Sequence, residues 1–305
     1  MNNKNKPKFA VLLAAFNGAK FIERQINSII SQKNVEVSIF VSIDMSIDTT
    51  EVIINKMMKK HHNIFLISKN RKFGNACKNF LFLIKNVNFD SYDFISFSDQ
   101  DDEWFENKLY NAARALNKNR LNAYVSNLYS VNKKNKVKNI IKKNYPQREW
   151  DFLFESAGAG CTYVLSNKIA SQLKLDVIHK YEELIHLNHY DWYIYAFVRN
   201  KSYDWYFDQE PQMLYIQHEN NEMGANLGFL AILKRLQMLL SKYWFKESIK
   251  IAQILELTNV SFFKKYKDLN KKSFLYLAFN CKKCRRNPRD QIIFFMICLF
   301  LSIYN

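Results

Sequence analysis

Residues 94–102 read Phe94-Ile-Ser-Phe-Ser-Asp-Gln-Asp-Asp102, an apolar run that ends in clustered carboxylates. Such a run predicts a buried strand, and the acidic groups at its end repel one another unless a cation offsets their charge. Asp99 and Asp101 form an Asp-x-Asp pair whose oxygen ligands suit a hard divalent ion such as Mg²⁺ or Mn²⁺. The alternative is a charged turn, and Asp102 in particular fits the N-cap of a helix that starts near Glu103.

Strands and helices alternate on both sides of this stretch. Apolar periodicity predicts strands at Phe9–Ala15, Val35–Ile43, Ile64–Ile67, Tyr92–Phe97 and Ala123–Tyr129. It predicts helices at Ala19–Ser31, Asp48–Lys60, Asn75–Lys85 and Trp104–Leu116. This order predicts an α/β fold, with a mostly parallel sheet flanked by helices. Ligands of such sheets bind at the carboxyl ends of the strands, so polar residues there are candidate site residues.

The second half of the chain has a less regular pattern. Lys133–Lys143 is basic and polar, which predicts a loop. A helical run opens at His189 and continues through Val198, and the pattern turns helical again from about Leu227 onward. Further strands are predicted at Tyr163–Leu165, Tyr203–Phe207 and Met213–Gln217.

Composition narrows the class of partner and the compartment. The 305 residues carry a net charge of +17, which favours phosphate-rich partners such as nucleotides, anionic membranes or nucleic acid. The five cysteines show no disulfide framework, which fits a reducing, cytoplasmic compartment. No apolar run is long enough to span a membrane, and the run at 9–16 predicts a first buried strand rather than a signal peptide.

Seven short segments, in order over about residues 8–225, resemble the motifs of one enzyme family. They are Val11-Leu-Leu-Ala-Ala-Phe-Asn-Gly18, Ser42-Ile-Asp-Met-Ser-Ile-Asp-Thr-Thr50, Asn70 to Phe80, Phe97-Ser-Asp-Gln-Asp-Asp-Glu-Trp104, Gly160-Cys-Thr162, His189-Tyr-Asp-Trp192 and Tyr215-Ile-Gln-His-Glu-Asn-Asn-Glu-Met-Gly224. The chain is similar to the family 2 glycosyltransferases with a GT-A fold, especially the subgroup called rhamnosyltransferase-like. Each segment is weak alone, but independent motifs rarely occur in family order by chance.

This resemblance implies the fold, the activity and the domain organisation. Residues 1–225 would form a GT-A glycosyltransferase domain, and residues 226–305 a helical C-terminal extension. The activity would be a metal-dependent, inverting transfer of a sugar from a nucleotide-diphosphate donor, either dTDP-rhamnose or a UDP-sugar. The acceptor would be a saccharide or a lipid-linked molecule, in the synthesis of a bacterial surface polysaccharide. Nucleic acid is not an expected partner.

The resemblance also assigns donor-binding residues. Phe16 falls where the family often has Tyr near the nucleobase, and Asp44 matches an Asp that accepts a hydrogen bond from a uracil-type base. Around Asp44 the family's first Asp is replaced by Ile43 and its Gly by Met45, so the acceptor is kept but the turn differs. Three further residues would approach the ribose or the phosphates: Asp99, Lys78 and His218.

Metal binding and proton transfer are assigned to separate carboxylates. Asp101 matches the family's metal-contacting Asp, with Asp99 beside it, and Mg²⁺ or Mn²⁺ is the implied cofactor. Asp191 matches the catalytic Asp, which would remove a proton from the acceptor hydroxyl. A helix N-cap is the alternative for Asp191.

The C-terminal segment lies outside the resemblance. A basic stretch, Lys282-Lys-Cys-Arg-Arg286 with Arg289, precedes the apolar run Ile292–Tyr304. Basic residues beside a short apolar helix suit the surface of an anionic bilayer, which predicts a protein peripheral to the inner face of the cytoplasmic membrane. The alternative is a buried helix that packs on a helical bundle.

Three other functions fit the sequence less well. A nucleotidyltransferase would need a Gly- and Arg-rich phosphate loop near the start, and none is visible. A basic nucleic-acid-binding protein fits the charge, but the sequence has no helix-turn-helix, zinc-finger or aromatic RNP motif. An inactive homologue that acts as a scaffold would not need Asp99, Asp101 and Asp191, which are all present.

Overall fold

The computed structural model describes residues 6–132, 138–217, 237–238 and 240–304. The described residues form two compact units. One comprises those within Met1–Asn144, Gly158–Asp191 and Lys201–Glu219, and the other those within Tyr145–Ala157, Trp192–Asn200 and Asn220–Asn305. Because the units alternate along the chain, a single division at residue 225 stays a prediction.

The first unit contains two sheets. The strands are β1 Lys8–Ala15, β2 Glu36–Asp44, β3 Ile64–Arg71, β4 Phe94–Ser98, β5 Glu103–Trp104, β6 Ala123–Ser126, β7 Leu128–Asn132, β8 Lys138–Ile141, β9 Val164–Ser166, β10 Trp205–Asp208 and β11 Met213–Gln217. The larger sheet has the order β10-β6-β9-β4-β1-β2-β3, and the smaller one β5-β11-β7-β8. In the larger sheet β9 runs antiparallel to both neighbours, and the other pairs are parallel. The predicted mostly parallel sheet is therefore confirmed.

Strand β1 lies in the middle of the larger sheet. Its residues from Phe9 to Ala15 are all buried, as expected for an uninterrupted apolar run that is covered on both faces. It pairs in parallel with β2, where Ala15 lies opposite Ile43, and with β4, where Leu13 lies opposite Ser98. The carboxyl ends of these three strands therefore meet at one edge of the sheet.

Helices account for most of the remaining described residues. They are α1 Ile22–Ile30, α2 Thr50–Lys60, α3 Ala76–Asn86, α4 Lys108–Asn119, α5 Asn167–His179, α6 Tyr181–Leu184, α7 Tyr190–Asn200, α8 Tyr243–Ile254, α9 Ser261–Tyr266, α10 Lys271–Phe279, α11 Cys281–Cys284 and α12 Pro288–Tyr304. Helix α1 buries Ile22, Ile26 and Ile29, which recur at helical spacing on one face. Helix α3 begins after Asn75, whose side chain accepts a hydrogen bond from the Lys78 amide at 2.8 Å.

The prediction of one strand over Ala123–Tyr129 is wrong. The segment divides at Asn127 into β6 of the larger sheet and β7 of the smaller one. The Asn127 side chain accepts a hydrogen bond from the Lys143 amide at 2.7 Å and donates one to the Gln209 carbonyl at 2.8 Å. These side-chain bonds replace strand pairing at the point where the chain changes sheets.

The predicted loop over Lys133–Lys143 is also wrong in its second half. Residues 138–141 form β8, which pairs antiparallel with β7, so that Leu128 lies opposite Ile141. Residues 133–137 lie outside the described part of the chain. A basic, polar composition did not reveal this strand because its partner supplies the pairing.

The helix predicted from Trp104 begins four residues later, at Lys108. Glu103 and Trp104 form β5 instead, opposite Leu214 and Met213 of β11. Asp102 is therefore not the N-cap of α4, since Asn107 occupies that position. Asp102 is fully buried, and the pairing of β5 with a distant strand determines where the helix can start.

The second unit is mainly helical, and the predicted helical pattern beyond Leu227 is confirmed for its described residues. Its helices from α8 to α12 are short, except for α12 with 17 residues. Among the helices of the described residues, none combines the length and the apolar composition that crossing a bilayer requires.

A buried ionic network lies inside the second unit. The fully buried Asp151 carboxylate accepts hydrogen bonds from Tyr195 Oη and Arg199 Nη1, both at 2.7 Å. Arg286 is 1% exposed, and its Nε lies 3.5 Å from Asp151 and 3.5 Å from Glu155. These groups join residues 151 and 155 to the C-terminal helices, and we call them the Asp151 network.

This network changes the interpretation of the basic stretch before α12. Arg286 donates hydrogen bonds to the carbonyls of Ser156 and Ala157, at 2.7 and 2.9 Å. Arg285 donates one to the Phe154 carbonyl at 2.8 Å. The prediction that both arginines belong to a membrane-contacting surface is therefore wrong, because internal partners hold their guanidinium groups.

Candidate active site

The loops that follow β1 and β2 are tied together at the carboxyl edge of the sheet. The Asn17 amide donates a hydrogen bond to Ser46 Oγ at 3.0 Å, and the Gly18 amide donates one to Thr50 Oγ1 at 2.8 Å. In return, the Ile47 amide donates to Asn17 Oδ1 at 2.9 Å. The two loops therefore form one fixed wall of the crevice expected at the ends of parallel strands.

Gln100 connects the loop after β4 to the loop after β1. Its Oε1 accepts a hydrogen bond from the Phe16 amide at 2.8 Å, and its Nε2 donates to the Phe16 carbonyl at 2.7 Å. A Cβ atom at Gly18 would lie 2.2 Å from Gln100 Oε1, so this approach requires glycine. The Phe16 backbone is thus held on both sides, while its ring is 52% exposed. An exposed ring on a fixed backbone is a ready surface for stacking.

Asp44 organises the loop after β3. Its Oδ1 accepts hydrogen bonds from the amides of Met45 and Phe73, at 2.8 and 2.9 Å, and its Oδ2 accepts one from the Gly74 amide at 2.8 Å. The side chain is buried, at 5% exposure. A carboxylate can accept about four hydrogen bonds, so Oδ2 keeps the capacity to accept another.

The acidic residues after β4 lie around a small buried cluster. Single ligand atoms of Asp99, Asp102 and Cys161 all lie within 4.8 Å of one another, with Asp102 and Cys161 buried and Asp99 half-buried. Asp101 is half-buried beside them, and Arg24 Nη2 donates a hydrogen bond to its carbonyl at 3.1 Å. Helix α1 therefore helps to hold the acidic segment at the end of the strand.

Burial and repulsion perturb the groups of this cluster. Burial raises the pKa of Asp102 well above its usual value, and the nearby charges of Asp99 and Asp101 raise it further. Burial likewise raises the pKa of the Cys161 thiol, again with help from the neighbouring carboxylates. Burial lowers the pKa of Lys108 to about 7, and its amine lies 3.4 Å from the centre of the Trp104 ring.

The side chains present fit a hard divalent ion. Carboxylate oxygens from Asp99 and Asp102 are grouped in a partly buried place, and the charge of Asp101 acts on the same group, so their mutual repulsion favours a cation. Cys161 is an unsuitable ligand for Mg²⁺ or Mn²⁺, because soft thiolates select other metals and burial keeps this thiol protonated. The carboxylates are thus the residues that could hold the ion, through Asp99 and one of its two acidic neighbours.

Helix α7 brings Asp191 to the same place. Asp191 is half-buried in the first turn of the helix, directly after the buried Tyr190. The Tyr190 ring stacks on Phe80 with centroids 4.0 Å apart, which attaches this turn to α3. Burial raises the pKa of the Tyr190 hydroxyl, and the charges of Asp99 and Asp191 raise it further. Asp99 and Asp191 are 92 positions apart in sequence, and the packing of Tyr190 against Phe97 and Gly160 brings their two segments together.

Gly160 leaves the space that Tyr190 occupies. A Cβ atom at this position would lie 2.2 Å from Tyr190 Oη and 2.5 Å from Cζ. We expect Gly160→Ala to lower the free energy of unfolding by about 1–3 kcal/mol, as overpacking does, and to shift the first turn of α7. Denaturant unfolding and steady-state kinetics check this, and unchanged stability together with unchanged turnover would contradict the packing described here.

Lys78 and His218 are the other two residues predicted to bind the donor. Lys78 lies in the first turn of α3, half-buried, and its backbone amide is bonded to Asn75. His218 lies outside the described residues. Their roles at the phosphates stay predictions.

The sequence did not reveal several residues of this site. Gln100 stands between two predicted carboxylates, but nothing local indicates that its amide reaches back to Phe16. Gly160 leaves room for the Tyr190 ring, although the two residues belong to separate elements. Cys161 lies with Asp99 and Asp102, and Lys108 lies over the Trp104 ring. Gly160 belongs to the motif Gly160-Cys-Thr162, and glycine is scarce, with six in the whole chain, but neither signal indicates its contact with Tyr190.

Comparison with known sequences identifies a family and a relative of similar length. Glycosyl transferase family 2 matches residues 10–167. The "dTDP-rhamnosyl transferase RfbG" of Shigella flexneri is 39% identical over 293 residues, which are 96% of this chain and 100% of that protein.

Solved structures agree on the fold. Residues 1–349 of S. aureus TarS, in complex with UDP-GlcNAc, superpose with a TM-score of 0.57 at 14% identity, over 97% of this chain and 88% of that one. The mannosyltransferase PcManGT from Pyrobaculum calidifontis, in complex with GDP-Man and Mn²⁺, gives a TM-score of 0.52 at 12% identity, over 99% and 74% of the two chains. At these identities the likeness concerns the GT-A fold alone.

Proposed function

Because the chain belongs to glycosyl transferase family 2, we propose that it is an inverting enzyme that moves a sugar from a nucleotide-diphosphate donor to a saccharide or lipid-linked acceptor in bacterial surface polysaccharide synthesis. The observation that carries this proposal is the 39% identity, over 96% of the chain, to a dTDP-rhamnosyl transferase. That relative favours dTDP-rhamnose as the donor, with a UDP-sugar as the alternative.

In the proposed reaction Asp191 is the general base. Its carboxylate takes the proton of the acceptor hydroxyl while the acceptor oxygen attacks the anomeric carbon. The bond from that carbon to the nucleoside diphosphate breaks on the opposite face, so the configuration inverts in one displacement. The position of Asp191 supports this role, because it directly follows Tyr190, whose ring lies 5.9 Å from that of Phe97 in the strand that ends at the acidic segment.

Asp99 and Asp101 are the proposed residues for Mg²⁺ or Mn²⁺. When bound, the ion neutralises negative charge on the departing diphosphate. The grouping of Asp99 with Asp102 supports the placement of a cation here, because a cation would offset the repulsion between the two carboxylates.

The donor is proposed to lie along the carboxyl ends of β1, β2 and β4. Phe16 stacks on the nucleobase with its exposed ring, and the free capacity of Asp44 Oδ2 accepts a hydrogen bond from the base. Asp99 binds the ribose, and Lys78 and His218 contact the phosphates. The hydrogen bonds that fix the Phe16 backbone support the stacking of the nucleobase on the Phe16 ring, because this backbone needs no further ordering when the base binds.

The proposed location is cytoplasmic, with peripheral contact at the inner face of the cytoplasmic membrane. A lipid-linked acceptor would be reached there, and the charge of +17 favours an anionic surface.

A panel of nucleotide sugars tests the proposed function. Purified protein is incubated with Mn²⁺ and dTDP-rhamnose, UDP-glucose, UDP-GlcNAc or GDP-mannose, and the released nucleoside diphosphate is measured. We expect release from dTDP-rhamnose above the others, and none after chelation of the metal. Thermal stabilisation by a nucleotide sugar without any release, even with added acceptor, would instead support an inactive homologue. The absence of both effects with every donor would contradict the proposal.

A further inference from the structure

Helix α12 has two apolar faces, of which only one is covered. The inner face packs in the second unit through Gln291, Phe294, Cys298, Leu301 and Ser302. The outer face carries six large side chains that are 45–83% exposed, namely Ile292, Ile293, Met296, Phe300, Ile303 and Tyr304. At about 100° per residue these six positions fall within an arc of about 120°. We call them the apolar face of α12.

An exposed face of this composition is unusual for a surface helix. A helix that packs on a protein core normally presents charged or polar residues to water on its other side. Between Ile292 and Tyr304 the outer face offers no polar atom except the Tyr304 hydroxyl. Contiguous exposed apolar surface of this kind marks an interaction site rather than ordinary scatter.

The surrounding charge indicates what kind of surface the apolar face meets. Residues 241–304 contain 13 Lys or Arg and 4 Asp or Glu, a net charge of +9, although they are about a fifth of the chain. Lys282 and Arg289 are exposed just before the apolar face begins. Arg285 and Arg286 do not contribute, because they are held in internal contacts.

We propose that the apolar face of α12, together with Lys282 and Arg289, rests on the surface of an anionic lipid bilayer. At about 1.5 Å per residue the 17-residue helix is about 25 Å long and would lie in the plane of the interface. The apolar side chains enter the acyl boundary while the basic residues meet lipid phosphates. This deepens the proposed function, on which it rests for the membrane location of the acceptor.

Charge argues against a second copy of the chain as the occupant. A symmetric contact through the same face would bring together two units that each carry the net charge of +9 of residues 241–304. Like charges that come within the Debye length of about 8 Å repel. An anionic bilayer has the opposite sign, so the same residues add to its attraction.

Sedimentation with lipid vesicles tests the proposal. The apolar-face variant is Ile292→Gln with Met296→Gln, whose side chains are 66% and 59% exposed. Its matched control is Val52→Gln with Leu175→Gln, two apolar side chains of the first unit that are 66% and 58% exposed. The charge variant is Lys282→Gln with Arg289→Gln. Each protein is mixed with vesicles of phosphatidylcholine alone or with added phosphatidylglycerol.

We expect the unmodified chain and the control to bind the anionic vesicles and to bind the neutral ones weakly. The apolar-face variant should lose at least about tenfold in affinity, and the charge variant should lose affinity mainly at low salt. All three variants change exposed positions, so their melting temperatures should stay unchanged. Vesicle binding of the apolar-face variant equal to that of the unmodified chain would overturn the proposal, as would absence of vesicle binding by the unmodified chain.

Sedimentation velocity without lipid tests whether a second copy of the chain covers the apolar face of α12 instead. A dimer of the unmodified chain that the apolar-face variant loses, without vesicle binding, would assign the face to self-association and overturn the proposal. The outcome is independent of the transfer reaction. If the protein binds vesicles as expected but releases no nucleotide from any sugar donor, the proposed function is rejected and the membrane-binding role of the apolar face of α12 stands.

Discussion

The Asp191→Asn variant is expected to lose turnover by a factor of about 10²–10⁴ while it keeps its affinity for the donor nucleotide. An amide cannot take the proton of the acceptor hydroxyl, but it preserves the size and the helical position of the side chain. Asp191 lies in the first turn of α7, after a tyrosine that is fixed on Phe80, so the substitution should not disturb the fold. Steady-state kinetics and titration with the nucleotide measure the two properties.

Asp204→Asn is the matched control for this variant. It makes the same chemical change at an exposed carboxylate of the first unit and should leave turnover unchanged. Turnover of Asp191→Asn within a factor of about two of the unmodified enzyme would remove Asp191 from the base role. A loss in nucleotide affinity of the same size as the loss in turnover would show that the residue binds the donor rather than deprotonating the acceptor.

Asp151→Ala is expected to lower the free energy of unfolding by about 3–5 kcal/mol, because it leaves buried charges without their partner. The carboxylate lies at 0% exposure and accepts hydrogen bonds from Tyr195 and Arg199, with Arg286 also beside it. Truncation would leave two guanidinium groups in a largely dry environment. Denaturant unfolding followed by circular dichroism measures the effect.

Glu149→Ala provides the control from the same segment. Glu149 pairs with Lys283 at 2.8 Å, but both side chains are more than half exposed. Solvent-exposed pairs contribute about 0–1 kcal/mol, so this variant should change little. Equal destabilisation by the two variants would contradict the claim that the Asp151 network holds the second unit together.

Local patterns were sufficient for the elements that depend on neighbouring residues. The apolar run from Phe9 to Ala15 predicts a buried strand, because a central parallel strand must be apolar on both faces. The Asn75 side chain and the apolar spacing after it likewise predict α3. The clustered carboxylates at the end of β4 predict a charged site, because adjacent carboxylates repel one another unless a cation offsets their charge.

Features that depend on distant partners were not predictable in this way. Trp104 enters a strand because Met213, 109 positions later, pairs with it, and no helical period records that contact. Gln100 holds the Phe16 backbone across 84 positions. Arg286 reads as a solvated base in a basic run, yet its partners Asp151 and Glu155 lie more than 130 positions earlier. Only the folded chain brings these groups together.

The most direct test of the central claim, a cation held by Asp99 and Asp101 that binds the donor diphosphate, is calorimetric titration with dTDP and with UDP. Each nucleotide is titrated into the unmodified protein with Mn²⁺, into the same protein after chelation, and into Asp101→Ala with Mn²⁺. We predict measurable binding in the first case, and an affinity at least about tenfold weaker in the other two. Equal affinity in all three titrations would contradict the metal site.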